Sequence, residues 1–373
     1  MRPVVRSTSS RGIGAVNIAK RTSSGAVVTP TAETAVPDTV KLMRFEDRSV
    51  RGQVARLRPT ALEALRQYPI EVASLRLLNH GFNTTFRVDT IDGRRFSLRM
   101  NVNSRRTDAF IGAEMAWLAA LSAETDLWVP TPQLSRDGAL LVHVESADLQ
   151  RSLPAALFEW LPGPDLGDEA TPAQIRAVGR ATAALHAHGE NWSPPPGTEL
   201  PAIDTILMDV PHVLGDDHPL LSTADHELLD TAFEHIQQHY DAMFANAPRQ
   251  PLHADLHVWN LKWYRSRLSV FDFDDSGIGV PVQDLAISAY YLRDNAEQET
   301  ALLEGYQEVR SLPSFSSEQF EAMVASRNLI LLNDVITTTN AEFLAMLPTY
   351  VPRSITKLRS YLDTGRYRHD AVA

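Results

Sequence analysis

Apolar and polar positions alternate over residues 72–78, 85–90 and 96–100, a period of two that predicts three β-strands, with Asp92-Gly93 as the turn between the last two. Residues 79–84, Asn79-His80-Gly81-Phe82-Asn83-Thr84, form the loop of the first hairpin in this antiparallel meander. Upstream, Thr60-Ala61-Leu62-Glu63-Ala64-Leu65-Arg66 reads as a short helix that starts at Pro59 and is ended by Pro69. Residues 111–121 keep helical spacing of apolar positions, Pro130 and Pro132 close that unit, and a second hairpin turns at Asp137-Gly138 between Leu134 and Leu140-Leu141-Val142. An apolar strand, Ala156-Leu157-Phe158-Glu159-Trp160-Leu161, then runs into a Pro162-Gly163 break.

Beyond that break the period changes to that of helices. Thr171-Pro172 reads as an N-cap followed by proline at the first helical position, and Ile175, Val178, Thr182 and Leu185 keep one face apolar up to Gly189. A proline-rich loop follows over residues 192–197, and another helix starts near Thr223 and carries apolar positions to Met243. His226, His235 and His239 fall at helical spacing on it and read as solvated or partner-facing groups. Further helices are expected from Ile287, Leu302, Leu329 and Ile355, and no internal repeat is visible.

Composition narrows this picture. The first forty or so residues are rich in Ser, Thr, Val, Ala and Arg and carry no acid before Glu33, so residues 1–45 read as a disordered extension. Their basic, Ser-rich character is also that of an organellar transit peptide, but Gly12, Gly14 and Gly25 interrupt any amphipathic helix. The 373 residues fit a two-lobed enzyme. A formal charge of −11, from 46 acidic and 35 basic residues, argues against nucleic acid or an anionic membrane as partner and favours a cationic substrate. The absence of cysteine excludes thiolate catalysis and disulfides, and no apolar run approaches the ~20 residues of a membrane helix. A soluble, cytoplasmic protein is expected.

The candidate chemistry lies in one stretch, Leu252-His253-Ala254-Asp255-Leu256-His257-Val258-Trp259-Asn260-Leu261-Lys262, followed by Val270-Phe271-Asp272-Phe273-Asp274-Asp275-Ser276-Gly277. A loop Asp, an Asn five residues on, and an apolar strand ending in another Asp match the needs of phosphoryl transfer from Mg-ATP: one carboxylate to orient a hydroxyl, an amide and a carboxylate to hold metal. Three acids among four residues at a strand end repel one another unless a cation joins them, and hard Mg²⁺ suits oxygen ligands. Two other readings stand beside this one. His253, Asp255 and His257 alternate as zinc ligands would, and the same residues could simply cap neighbouring backbone.

The run His253-x-Asp255-Leu256-His257-x-x-Asn260, then Asp272-Phe273-x-Asp275-x-Gly277-x-Gly279-x-Pro281-x-x-Asp284-Leu285-Ala286, resembles the aminoglycoside phosphotransferase and choline kinase family, which shares the protein-kinase-like fold. The resemblance implies Asp255 as catalytic base, Asn260 and Asp272 as Mg²⁺ ligands, and Asp284 as a support for the catalytic loop. It places Arg99 where kinases carry a phosphate-binding Lys, with Glu114 as its partner, and it makes 159–163 a hinge whose Glu159 and Leu161 backbone reads adenine. Arg keeps the charge of Lys but not its ammonium geometry. The loop at 79–84 would cover the phosphates, with Gly81 as its one glycine. The implied fold is α+β and bilobal, with an N-lobe of sheet and helix over 46–158 and a mainly helical C-lobe over 164–373. The implied reaction moves the γ-phosphoryl group of ATP to a hydroxyl of a small, amine-bearing molecule. Pro281-Val282-Gln283-Asp284-Leu285 also resembles the bacterial stress-response Ser/Thr kinase branch, which makes a protein acceptor the alternative; a non-catalytic nucleotide-binding module is a third.

Overall fold

The computed structural model describes residues 44–371 except Glu46, Asp209, Thr339 and Asn340, and leaves the side chains of Ala341 and Glu342 undescribed. The expected extension over 1–45 therefore lies outside the described residues but for Arg44 and Phe45. The chain divides into two compact units: unit 1 comprises residues up to Arg106 with Pro132–Trp160, and unit 2 comprises Thr107–Thr131 with Leu161 onward. The expected α+β class holds.

Unit 1 is a five-stranded antiparallel sheet with one helix. The helix α1 (Val50–Arg66) is capped by the Ser49 hydroxyl, which accepts from Gly52 N. It begins well before the expected start and passes through Pro59. An interior proline costs roughly 3 kcal/mol, and burial of Leu57, Ala61, Ala64 and Leu65 offsets it, so packing overrides the local signal. The strands β1 (Val72–His80), β2 (Asn83–Thr90) and β3 (Arg95–Asn101) form the predicted meander. Because His80 already pairs with Thr84, the first loop is shorter than expected and its tip is Gly81-Phe82. The Asp137-Gly138 turn exists, closed by Ser135 N to Ala139 O (2.8 Å), but no strand precedes it. The second hairpin instead joins β4 (Val142–Ser146) to β5 (Arg151–Glu159), giving the order β1-β2-β3-β5-β4. The alternation in β4 is only five residues long, and this hid it from a pattern reading. Phe86, Leu98 and Leu157 on one face of the sheet and Leu65 and Tyr68 at the end of α1 share one core.

Unit 2 is mainly helical. Its helices are α2 (Asp108–Glu124), α3 (Pro172–Gly189), α4 (Thr223–Asn246), α5 (Val282–Leu292), α6 (Ala296–Gln307), α7 (Ser317–Ile336) and α8 (Ala341–Thr364). Reciprocal capping boxes at Thr171/Gln174, Ser222/Asp225 and Ser316/Gln319 start α3, α4 and α7, each meeting orphan N–H groups of a first turn. Helices α3 and α6 approach closely: a Cβ on Gly179 would run into the Leu302 carbonyl, and one on Gly305 into the Arg176 carbonyl. Two small antiparallel pairs interrupt the helices: β6 (Gln250–Leu252) with β9 (Gly277–Gly279), and β7 (Leu261–Tyr264) with β8 (Arg267–Val270). The helix α2 counts with this unit, whereas the sequence reading put it in the small lobe. Among the described residues no helix is long and apolar enough to cross a membrane.

Candidate active site

The stretch between β6 and β7 is a loop pinned from below. After buried Leu252 the chain turns through Ala254, a non-glycine residue at φ 65°, which costs ~1–2 kcal/mol. Asp284, fully buried on α5, offsets that cost: Oδ1 accepts from Ala254 N (2.7 Å), and Oδ2 accepts from His253 N (3.2 Å) and His186 Nε2 (3.0 Å). Burial works against the Asp284 charge, but the hydrogen bonds from His186 and the Ala254 backbone outweigh it and hold the carboxyl below the usual carboxylate range. Behind His186, Tyr306 Oη donates to Nδ1 (3.0 Å); burial pushes that phenol up to about 12, so it remains a donor. Ser288 Oγ donates to Leu256 O (2.6 Å) and closes the far side of the loop.

His253 ties the loop to the segment before Asp272. Its Nδ1 accepts from Asp255 N (3.3 Å), so the proton is on Nε2, which donates to Phe271 O (3.0 Å). Burial pushes its pKa down, in keeping with a neutral ring. His257 is arranged likewise: Nδ1 caps the 3₁₀ turn Val258–Asn260 by accepting from Trp259 N (3.2 Å), and Nε2 lies 3.2 Å from Asp255 Oδ2. All four ring nitrogens are thus engaged one by one, and among the described residues no group of three His, Cys, Asp or Glu is placed to share a metal. The zinc reading does not hold.

Asp255 is held on both oxygens. Asn260 Nδ2 donates to Oδ2 (2.8 Å) and to the Asp255 carbonyl (2.9 Å). Oδ1 receives Arg327 from α7, which also donates to Tyr291 Oη (3.1 Å). The side chain of Asp255 is 16% exposed, open enough for a ligand to reach. Burial opposes its charge, yet His257 and Arg327 outweigh burial and keep the carboxyl below its ordinary range. Arg327, Tyr291 and His186 were not foreseen. They come from distant helices, and the one sequence signal for Arg327 is a charge inside the run 322–330, every residue of which is buried.

The donor set beside Asp255 fits a hard cation. With Asn260 Nδ2 committed to Asp255, Oδ1 is the atom of that amide left for a ligand. Phe271 N donates to Asn260 O (3.0 Å), which fixes the segment carrying Asp272, an exposed carboxylate at φ 69°. An amide oxygen and a carboxylate are oxygen donors of the kind Mg²⁺ takes. Asp272 does not end the strand directly: β8 stops at Val270, and half-buried Asp274 and Asp275 lie in the turn before β9.

The remaining candidates are distributed over both units. In unit 1, Arg99 lies buried on β3 between Thr85 and Ala156, its guanidinium 5.4 Å from the Phe158 ring centre, and Glu159 is the exposed last residue of β5, opposite Phe96. In unit 2, Glu114 is buried on α2, and buried Leu161 opens the segment after the unit boundary. Gly163 follows at φ 101°, where a Cβ would come within 2.8 Å of the Trp263 carbonyl. Of the α4 histidines, exposed His235 and half-buried His239 meet edge to face with ring centres 5.1 Å apart, and His226 Nδ1 bonds the Leu214 carbonyl.

A family model described as the phosphotransferase enzyme family matches residues 74–316. Among solved structures, a microcompartment-associated aminopropanol kinase is 26% identical, with a TM-score of 0.71 over 85% of this chain and 99% of its own. Amicoumacin kinase hAmiN, solved with AMP-PNP and Ca²⁺, is 17% identical, with a TM-score of 0.64 over 82% and 96% of the two chains. A choline/ethanolamine kinase family protein from Mesorhizobium loti is 15% identical, with a TM-score of 0.53 over 83% and 94%. No curated protein sequence matches.

Proposed function

The chain belongs to the phosphotransferase enzyme family, and from that premise we propose that it transfers the γ-phosphoryl group of ATP to the hydroxyl of a small amino alcohol. The observation that carries the reading is the loop Asp255, fixed on both oxygens next to Asn260 and just across from the Asp272 segment. The likeness to an aminopropanol kinase supports the acceptor class, as does the net charge of −11, which draws a cation.

In the proposed reaction the acceptor O–H donates to the Asp255 carboxylate. Its oxygen forms a bond to the γ-phosphorus as the bond to the β–γ bridging oxygen breaks, ADP leaves, and the hydroxyl proton passes through Asp255 to solvent. Asn260 Oδ1 and Asp272 would hold Mg²⁺, which when bound offsets charge on the phosphates. Arg99 is assigned to phosphate with Glu114 behind it, and the backbone of Glu159 and Leu161 to adenine, as the resemblance implies. Asp255, Asn260 and Asp272 are all present, which speaks against a non-catalytic module.

The test is a screen of amino alcohols, aminoglycosides, anionic sugars and a protein lysate for ATP-dependent phosphorylation. Amino alcohols should be used best, with the preference weakening as salt rises. Asp255→Ala should lower turnover by ~10²–10⁴-fold while leaving ATP binding intact. Labelling of protein alone, or a best acceptor that is anionic at every ionic strength, would overturn the acceptor assignment.

A further inference from the structure

Hydrogen-bond accounting separates the two oxygens of Asp255. Oδ2 already accepts from Asn260 Nδ2 (2.8 Å) and has His257 Nε2 at 3.2 Å, which fills its two lone-pair directions. Among the described residues Oδ1 has one protein donor, Arg327 Nη2, and therefore one direction to spare. A hydroxyl that donates to Asp255 without displacing the Asn260 bond must donate to Oδ1, immediately beside the guanidinium.

Arg327 is an unusual residue to find there. It is 7% exposed on α7, and its Nε is buried without a hydrogen-bond partner among the described residues. A buried donor left unmet is destabilising, and an apolar side chain of similar volume would pack in its place without that penalty. Packing thus does not account for the guanidinium; its contacts with Asp255 and Tyr291 do. The Tyr291 hydroxyl accepts from the same Nη2 (3.1 Å), and the guanidinium carbon lies 5.7 Å from the Tyr291 ring centre, so nitrogen and ring together fix the head group that meets Oδ1.

Resting on the phosphotransferase reading above, we infer that Arg327 is a positioning residue of the transfer step: it aims Asp255 Oδ1 at the acceptor hydroxyl, with Tyr291 holding Arg327 in register. The effect runs through Asp255, so it concerns the rate of transfer far more than nucleotide binding. A misplacement of one ångström in such a group can cost ~10²-fold in rate.

The experiment uses the full chain with Mg-ATP and 1-amino-2-propanol, and compares wild type with Arg327→Met, Arg327→Lys, Tyr291→Phe, Asp255→Asn and the Arg327→Met/Asp255→Asn pair. Expected are a kcat loss of ~10–10²-fold in Arg327→Met with the KM for Mg-ATP within about twofold, and partial rescue in Arg327→Lys. In the Asp255→Asn background, Arg327→Met should have little further effect, because the group it aims is already gone. Thermal unfolding supplies a readout free of substrate: Arg327→Met should lower Tm, and adding Asp255→Asn should restore part of it by removing the uncompensated carboxylate. If Arg327→Met does not fold, Tyr291→Phe, which keeps ring and volume, should show a smaller kcat loss that likewise vanishes in the Asp255→Asn background. An unchanged kcat in Arg327→Met, or the same fold-loss in both backgrounds, overturns the inference while the phosphotransferase reading stands. A wild-type chain that phosphorylates other acceptors but no amino alcohol overturns only the acceptor assignment, and the same variants are then compared on the acceptor it uses; one that phosphorylates no acceptor overturns the phosphotransferase reading, and the inference with it.

Discussion

Replacing Asp284 by Asn is the most searching perturbation of the site, since it exchanges one oxygen for an NH₂ with almost no change of volume at a residue with no exposure. Three donors converge on the carboxylate: Ala254 N at 2.7 Å, His253 N at 3.2 Å and His186 Nε2 at 3.0 Å. An amide keeps one oxygen. If that oxygen stays with Ala254, the new NH₂ faces two N–H groups, and two bonds to an ionised group are lost. At ~1.5–3 kcal/mol for each such bond, the destabilisation is ~3–6 kcal/mol. With ~2–4 °C per kcal/mol for a unit of this size, Tm should fall by roughly 6–24 °C. The same change frees Ala254 from φ 65°, one residue before Asp255, so kcat should fall ~10²-fold. Urea unfolding and steady-state kinetics on the same preparations check both numbers. A variant within about 1 kcal/mol of wild type and with native kcat would show that the Asp284 bonds do not hold the loop.

Three further outcomes are expected. Asp272→Asn should weaken Mg²⁺-dependent ATP binding, with chelators mimicking it on wild type; calorimetry giving unchanged Mg-ATP affinity would move the ligand role to Asp274 or Asp275. His253 is buried with its pKa pushed down. Because the unfolded chain takes up that proton first, at pH ~6.5, the stability from the neutral ring is full above that value and is lost as pH falls through the depressed folded one. His253→Gln should therefore be less stable at neutral pH, yet lose less on acidification; parallel Tm-against-pH curves for the two proteins would refute this. Gly305→Ala should cost ~1–3 kcal/mol or more, since its Cβ would enter the Arg176 carbonyl at the α3–α6 contact; an unchanged urea midpoint would show that the two helices can separate freely.

Much of the candidate site's geometry was legible because its parts are close in sequence. Asp255 and Asn260 are five residues apart, a spacing that one loop and one 3₁₀ turn close on themselves, and Asp272 returns beside them through a single short hairpin. Such contacts depend on local geometry, so a spacing read along the chain implies a distance in space. The meander of β1, β2 and β3 was legible for the same reason: period-two alternation and an Asp-Gly turn specify an antiparallel neighbour with little help from elsewhere. What the tertiary structure decided are the contacts of high sequence separation. Arg327 meets Asp255 across 72 residues and His186 meets Asp284 across 98, and nothing local to any of the four distinguishes a buried, partnered side chain from a solvated one. The course of α1 through Pro59 has the same cause, because its helical free energy comes from Leu57, Ala61 and Leu65 against the sheet, a term absent from its own residues. The local sequence thus determined which groups meet at the candidate site, and the packing of distant helices decided how each is held and charged, because burial and electrostatic partnership are properties of the folded neighbourhood.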